Sequence, residues 1–98
     1  MTLQTLTDQI KPIIVKHGVS KAGFFGSVAR NQTIETSDID ILVQIDDDSS
    51  LLDYIRLKNE LEYELKKKVD LVEYGTLKQV IRDQVLAEEV VIYDESQS

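Results

Sequence analysis

The sequence predicts an α/β or α+β fold, and three observations carry that reading. Helical and strand-like segments alternate along the chain as helix, strand, short helix, strand, helix, strand, helix, with a further strand at the end. Apolar residues make up 42% of the 98 residues, enough to fill one core in a domain of this size. Cysteine is absent, so neither a disulfide frame nor a Cys-ligated zinc site can stand in for that core. Residues 1–98 are therefore read as a single domain.

Each element has its own local cause. Leu3, Leu6, Ile10, Ile13 and Ile14 recur at helical spacing, which predicts a helix over 3–16. Pro12 falls inside it and predicts a kink or a break, because proline removes a backbone donor. His17 and Gly18 mark the helix end, with Gly18 in the left-handed position. Residues 21–25 form a short strand ending at Gly26. Residues 27–31 are helix-compatible, and 33–37 are polar and turn-like. Ile39, Ile41, Val43 and Ile45 then alternate with Asp40, Leu42 and Gln44, which predicts a strand with one strongly apolar face.

Residues 46–50 are a loop, and Ser50 with Asp53 resembles a capping box. The longest helix is expected over 51–68, with Leu51, Tyr54, Ile55, Leu61 and Leu65 on one side. Lys66, Lys67 and Lys68 crowd its last turn, where cations suit the helix dipole. Residues 69–74 form a third strand. Gly75 and Thr76 make a turn, with Thr76 as N-cap of a helix whose apolar positions are Leu77, Val80, Ile81 and Val85. Residues 90–93 form a last strand or an extended arm, and the polar tail from Asp94 is expected to fray.

Charge narrows the partners. The chain has 18 Asp+Glu against 11 Lys+Arg, a formal net charge of −7. Lys and Arg are what grip phosphate backbones, so direct nucleic-acid binding and an anionic membrane are not expected. An acidic surface suits a basic protein partner or bound cations. Met1-Thr2-Leu3-Gln4 does not open a secretory signal, and no apolar run approaches the ~20 residues that span a bilayer. The expected place is the cytoplasm.

Three features point to chemistry. Gly26-Ser27 follows a strand directly, where glycine lets the backbone approach a ligand and a helix start aims N–H groups at an anion. Arg30 lies one turn further on, within reach of a phosphate. Asp38 and Asp40 are two apart and project to one side of a strand, where two carboxylates repel unless a cation sits between them. Oxygen-rich carboxylate sites suit Mg²⁺, which shares its shell with water and substrate phosphates. Asp70 is a charge inside an apolar strand, where Asp is depleted. If its strand neighbours 39–45, three carboxylates lie side by side and could hold two Mg²⁺. His17 is assigned to a helix end, Tyr54 and Tyr63 to packing, Lys66 to Lys68 to a solvated helix end, and Asp46 to Asp48 to a loop.

Together, Gly26-Ser27-Val28-Ala29-Arg30, Ser37-Asp38-Ile39-Asp40-Ile41-Leu42-Val43 and the later Asp70 resemble the nucleotidyltransferase superfamily typified by DNA polymerase beta. More narrowly, the chain resembles the minimal nucleotidyltransferase (MNT) proteins encoded beside HEPN-domain ribonuclease toxins. The likeness spans nearly the whole chain. Asn31 departs from it, since many minimal members carry glycine after the arginine, but it lies outside the residues that carry chemistry.

The resemblance implies a small mixed β-sheet flanked by helices, the polymerase beta-like palm. It implies that Asp38 and Asp40 bind metal, that Asp70 completes the site and helps deprotonate the attacking hydroxyl, and that Gly26 and Ser27 hold nucleotide phosphates with Arg30 as a further contact. The cofactor is Mg²⁺, two ions, and ATP is the nucleotide donor. The implied reaction is attack on the α-phosphate with loss of pyrophosphate. The implied acceptor is a tyrosine of a cognate HEPN toxin, which AMP transfer would silence, so the chain would be an antitoxin. One alternative is an antitoxin that neutralises by binding alone. Another is transfer to a small molecule, although relatives with that activity carry an additional substrate-binding domain.

Overall fold

The alternation of isoleucines and valine in 39–43 becomes the inner strand of a four-stranded sheet. The computed structural model describes residues 3–30, 38–46 and 48–97. Its elements are α1 (Leu3–Lys16), β1 (Lys21–Phe25), α2 (Gly26–Ala29), β2 (Ile39–Gln44), α3 (Leu51–Leu65), β3 (Val69–Glu73), α4 (Gln79–Glu88) and β4 (Val90–Asp94). Single 3-10 turns follow β3 at Tyr74–Thr76 and β4 at Glu95–Gln97. The strand order is β3-β2-β1-β4. β2 and β3 run parallel, while β1 pairs antiparallel with β2 and with β4, so the sheet is mixed.

Strand alternation sorts the sheet into two faces. Ala22, Phe24, Ile39, Ile41, Val43, Val69, Leu71 and Ile92 point to one face and form the core with Leu6, Ile10 and Ile14 of α1 and Leu57, Leu61 and Leu65 of α3. Each fully buried Leu or Ile there contributes roughly 1.5–3 kcal/mol by leaving water. β2 is also covered on its other face, where Leu42 is buried. The opposite face carries Asp40, Asp70 and Gly23.

The ends of the helices explain where sequence and structure agree. The break expected at Pro12 does not occur: α1 runs uninterrupted through it, with Pro12 exposed. It ends as expected at Gly18, which takes φ +73°, with Gly18 N–H donating to Val15 O (3.1 Å) and Val19 N–H to Ile14 O (3.2 Å). α3 opens on a complete capping box: Asp53 N–H donates to Ser50 Oγ (3.2 Å) and Ser50 N–H to Asp53 Oδ2 (3.0 Å). Ser50→Ala is expected to cost about 1 kcal/mol, read as a lower urea midpoint at unchanged slope.

Several further expectations change. α3 ends at Leu65, and Lys66 turns left-handed (φ 56°), so the last two lysines lead into β3 and not along the helix. Its buried stripe is Leu57, Leu61 and Leu65, while Leu51 and Ile55 face solvent. Thr76 does not cap a helix: its hydroxyl donates back to Glu73 O (2.8 Å), and α4 starts three residues later. α4 buries none of its residues, and Val80 is 91% exposed. At the C-terminal end the final strand does form, and Glu95 N–H donates to Ser20 O (3.0 Å), so the chain is held beyond Asp94. The turn expected over 33–37 lies outside the described residues, as do Asn31 and Asp47.

Candidate active site

The sheet face turned away from α1 and α3 carries the acidic residues. In the parallel ladder Asp40 is the register partner of Asp70, and in the antiparallel ladder it is the partner of Phe25. The same alternation that buries Ile39 and Ile41 forces Asp40 outward, and parallel pairing sets Asp70 beside it. Asp38 stands two residues earlier on the same side, where Ile39 N–H donates to Lys68 O (2.9 Å) and fixes the start of the ladder. Asp40 is half-buried, and Asp38 and Asp70 are exposed.

These carboxylates act on one another. Burial first, then the charges of Asp70 and Asp38, hold the Asp40 carboxyl above its ordinary range, while Arg30 pulls it back down. Even so, no three His, Cys, Asp or Glu side chains among the described residues draw together into a group that could hold a metal ion. The donor set nonetheless fits Mg²⁺. That ion takes hard oxygen ligands, commonly one or two carboxylates with waters and substrate phosphates completing the shell. Asp40 and Asp70, register partners on neighbouring strands, would supply those carboxylates.

Gly26 opens α2 directly after β1 and takes φ +69°. A Cβ on it would stand 2.2 Å from Asp40 Oδ2, an impossible contact. The glycine is therefore needed for the turn and for the room that the Asp40 carboxylate occupies. Ser27 follows in α2. Arg30 closes that turn, its N–H donating to Gly26 O (3.2 Å), and its Nη1 donates to Glu88 Oε2 at 2.9 Å.

A second cluster on this face was not anticipated. Glu89, between α4 and β4, has a side chain only 5% exposed. It accepts a hydrogen bond from the Tyr74 hydroxyl, and Lys21 Nζ lies 3.9 Å from its other oxygen. The same ammonium sits 5.0 Å from the centre of the Tyr74 ring. A Cβ on Gly23 would come within 2.1 Å of the Glu89 carboxylate, so here too a glycine makes room for an acid. Burial, and then Glu89, push the Tyr74 phenol well above its usual range. The local clue is Glu88-Glu89 at a helix C-terminus, where the dipole favours cations.

The residues set aside fall elsewhere. His17 Nε2 lies 2.9 Å from Glu60 Oε1, and Lys16 Nζ donates to Glu60 Oε2 at 2.6 Å, tying α1 to α3 on the other side of the sheet. Tyr54 donates its hydroxyl to Leu71 O, and Tyr63 is exposed.

Comparison with known proteins agrees with this fold. The family described as Polymerase beta, Nucleotidyltransferase matches residues 8–98. A protein of Methanocaldococcus jannaschii provisionally named a protein adenylyltransferase is 48% identical over 90 residues, covering 92% of this chain and 97% of its own. A solved structure provisionally described as a minimal nucleotidyltransferase superposes with TM-score 0.80 at 39% identity, covering 92% and 95% of the two chains. The structure of tri-AMPylated Shewanella oneidensis HEPN toxin in complex with MNT antitoxin contains a chain of the same fold, with TM-score 0.72, 23% identity, and 96% and 74% coverage.

Proposed function

The chain belongs to the polymerase beta nucleotidyltransferase family, and from that premise we propose that it is a Mg²⁺-dependent protein adenylyltransferase that acts as the antitoxin of a HEPN toxin. The observation that supports this reading most directly is the cross-strand pair Asp40–Asp70, with Gly26 packed against the Asp40 carboxylate. It joins a nucleotide-binding turn to an acidic row, and phosphoryl-type transfer needs little beyond positioned groups and neutralised charge. The name of the M. jannaschii relative, and the AMPylated toxin bound to its MNT partner, favour a protein acceptor over a small molecule.

In the proposed reaction, an acceptor hydroxyl oxygen forms a bond to the α-phosphorus of ATP. The bond from that phosphorus to the pyrophosphate oxygen breaks, and pyrophosphate leaves. Asp38, Asp40 and Asp70 would hold Mg²⁺, which when bound supplies charge neutralisation around the phosphates. Asp70, exposed on its strand, would receive the hydroxyl proton. Gly26, Ser27 and Arg30 would bind the phosphates, with the Arg30 guanidinium offering charged donors. The acceptor is a tyrosine of the toxin, and the reaction belongs in the cytoplasm. Among the described residues, no helix is long and apolar enough to cross a membrane.

The test is incubation with α-labelled ATP, Mg²⁺ and the neighbouring gene's product. Label on that protein, lost on chelation of the metal and restored by Mg²⁺, is the expected outcome. No label with any nucleotide overturns the reading. Neutralisation that persists without label would favour an antitoxin acting by binding alone.

A further inference from the structure

The two consecutive glutamates at the end of α4 face different ways and engage different parts of the molecule. Glu88 accepts from Arg30 Nη1 at 2.9 Å. Glu89 is buried under the Tyr74 hydroxyl and beside Lys21, in the space that Gly23 leaves open. α4 buries none of its own residues. Its position therefore rests on contacts such as Glu89, Glu88 and Arg82, whose Nη1 donates to Tyr74 O at 3.2 Å. A guanidinium has five donors, so Glu88 can fix one nitrogen and leave others free for an anion.

We propose that Glu88 is a positioning residue: from a backbone held in place by the buried Glu89, it presents Arg30 to the phosphates of the nucleotide. This rests on the nucleotidyltransferase reading of the site. The contact is a surface ion pair, with side chains 45% and 34% exposed, so it adds little to stability. Its effect falls on where the guanidinium sits, and hence on nucleotide binding more than on turnover.

The experiment is a double-mutant cycle of Glu88→Ala and Arg30→Ala, measuring kcat and KM for ATP, the affinity for a non-hydrolysable ATP analogue, and Tm. Glu88→Ala is expected to raise KM and weaken analogue binding about fivefold to tenfold, less than the loss of a whole charge-assisted hydrogen bond because the guanidinium itself remains, with kcat and Tm nearly unchanged. Glu88→Gln, which keeps an acceptor oxygen, should recover part of the loss. In the Arg30→Ala background, Glu88→Ala should add nothing. Unchanged KM in Glu88→Ala, or the same loss without Arg30, overturns the proposal. A wild-type chain that binds the analogue but transfers no label overturns the functional reading alone, because the binding cycle still decides Glu88. A wild-type chain that binds no nucleotide overturns both.

Discussion

Asp40→Asn is expected to reduce nucleotidyl transfer roughly 10³-fold or more, because it removes a central charge from the acidic row, and to leave the fold at least as stable. The second half of that expectation follows from the direction of the Asp40 shift. Burial, Asp70 and Asp38 raise its folded pKa above the ordinary value. A raised carboxyl destabilises the folded state at neutral pH, and the penalty fades as pH falls through the folded pKa toward the unfolded value. Asn cannot ionise, so the variant should melt at or above the wild-type temperature at pH 7, with the difference closing in acid. Melting curves at two pH values and labelled-ATP transfer at neutral pH check both parts. A large drop in Tm alongside the lost activity would assign Asp40 to the scaffold instead.

Gly26→Ala carries the other large effect. A left-handed backbone with a side chain costs about 1–2 kcal/mol, and the new methyl would stand 2.2 Å from Asp40 Oδ2. The flexible carboxylate must swing aside, so the cost to activity exceeds the cost to stability. Transfer should fall about 10²-fold, the scale of an ångström-sized misplacement of a reacting group. The same substitution in the Asp40→Asn background should lower activity little further, since the displaced carboxylate is already gone. Retention of more than half the wild-type rate by Gly26→Ala would contradict the packing described here.

Legibility in the sequence followed the range of the forces involved. Strand β2 was readable because Ile39, Ile41 and Val43 alternate, and that period is local. The Ser50–Asp53 cap and the Gly18 helix end were readable for the same reason, each being set within a few residues. The meeting of Asp40 with Asp70 required strand order, which periodicity does not contain; the motif resemblance pointed to it and the parallel register bears it out. Helical spacing identifies the stripe that contains Leu51, Ile55 and Val80 without saying whether anything covers it, and in the fold these residues are exposed. Cations suit a helix end, which extends α3 over the lysines on sequence alone, yet a left-handed Lys66 stops the helix and lets Val69 enter the sheet. A glutamate at a helix end looks solvated in sequence, and only Gly23, far away in the chain, makes the space that buries Glu89.

The placement of β1 has a consequence for how the chain is made. One of the two neighbours of β1, β4, follows it in the chain only after β2, α3, β3 and α4. Until Val90–Asp94 emerges, one side of Lys21–Phe25 is an open row of backbone donors and acceptors beside Phe24. Such an edge recruits strands from other chains. A nascent or truncated chain lacking β4 thus presents β1 as an edge strand beside the core residue Phe24, whereas in the complete sheet β1 is paired on both sides and the edge passes to β4.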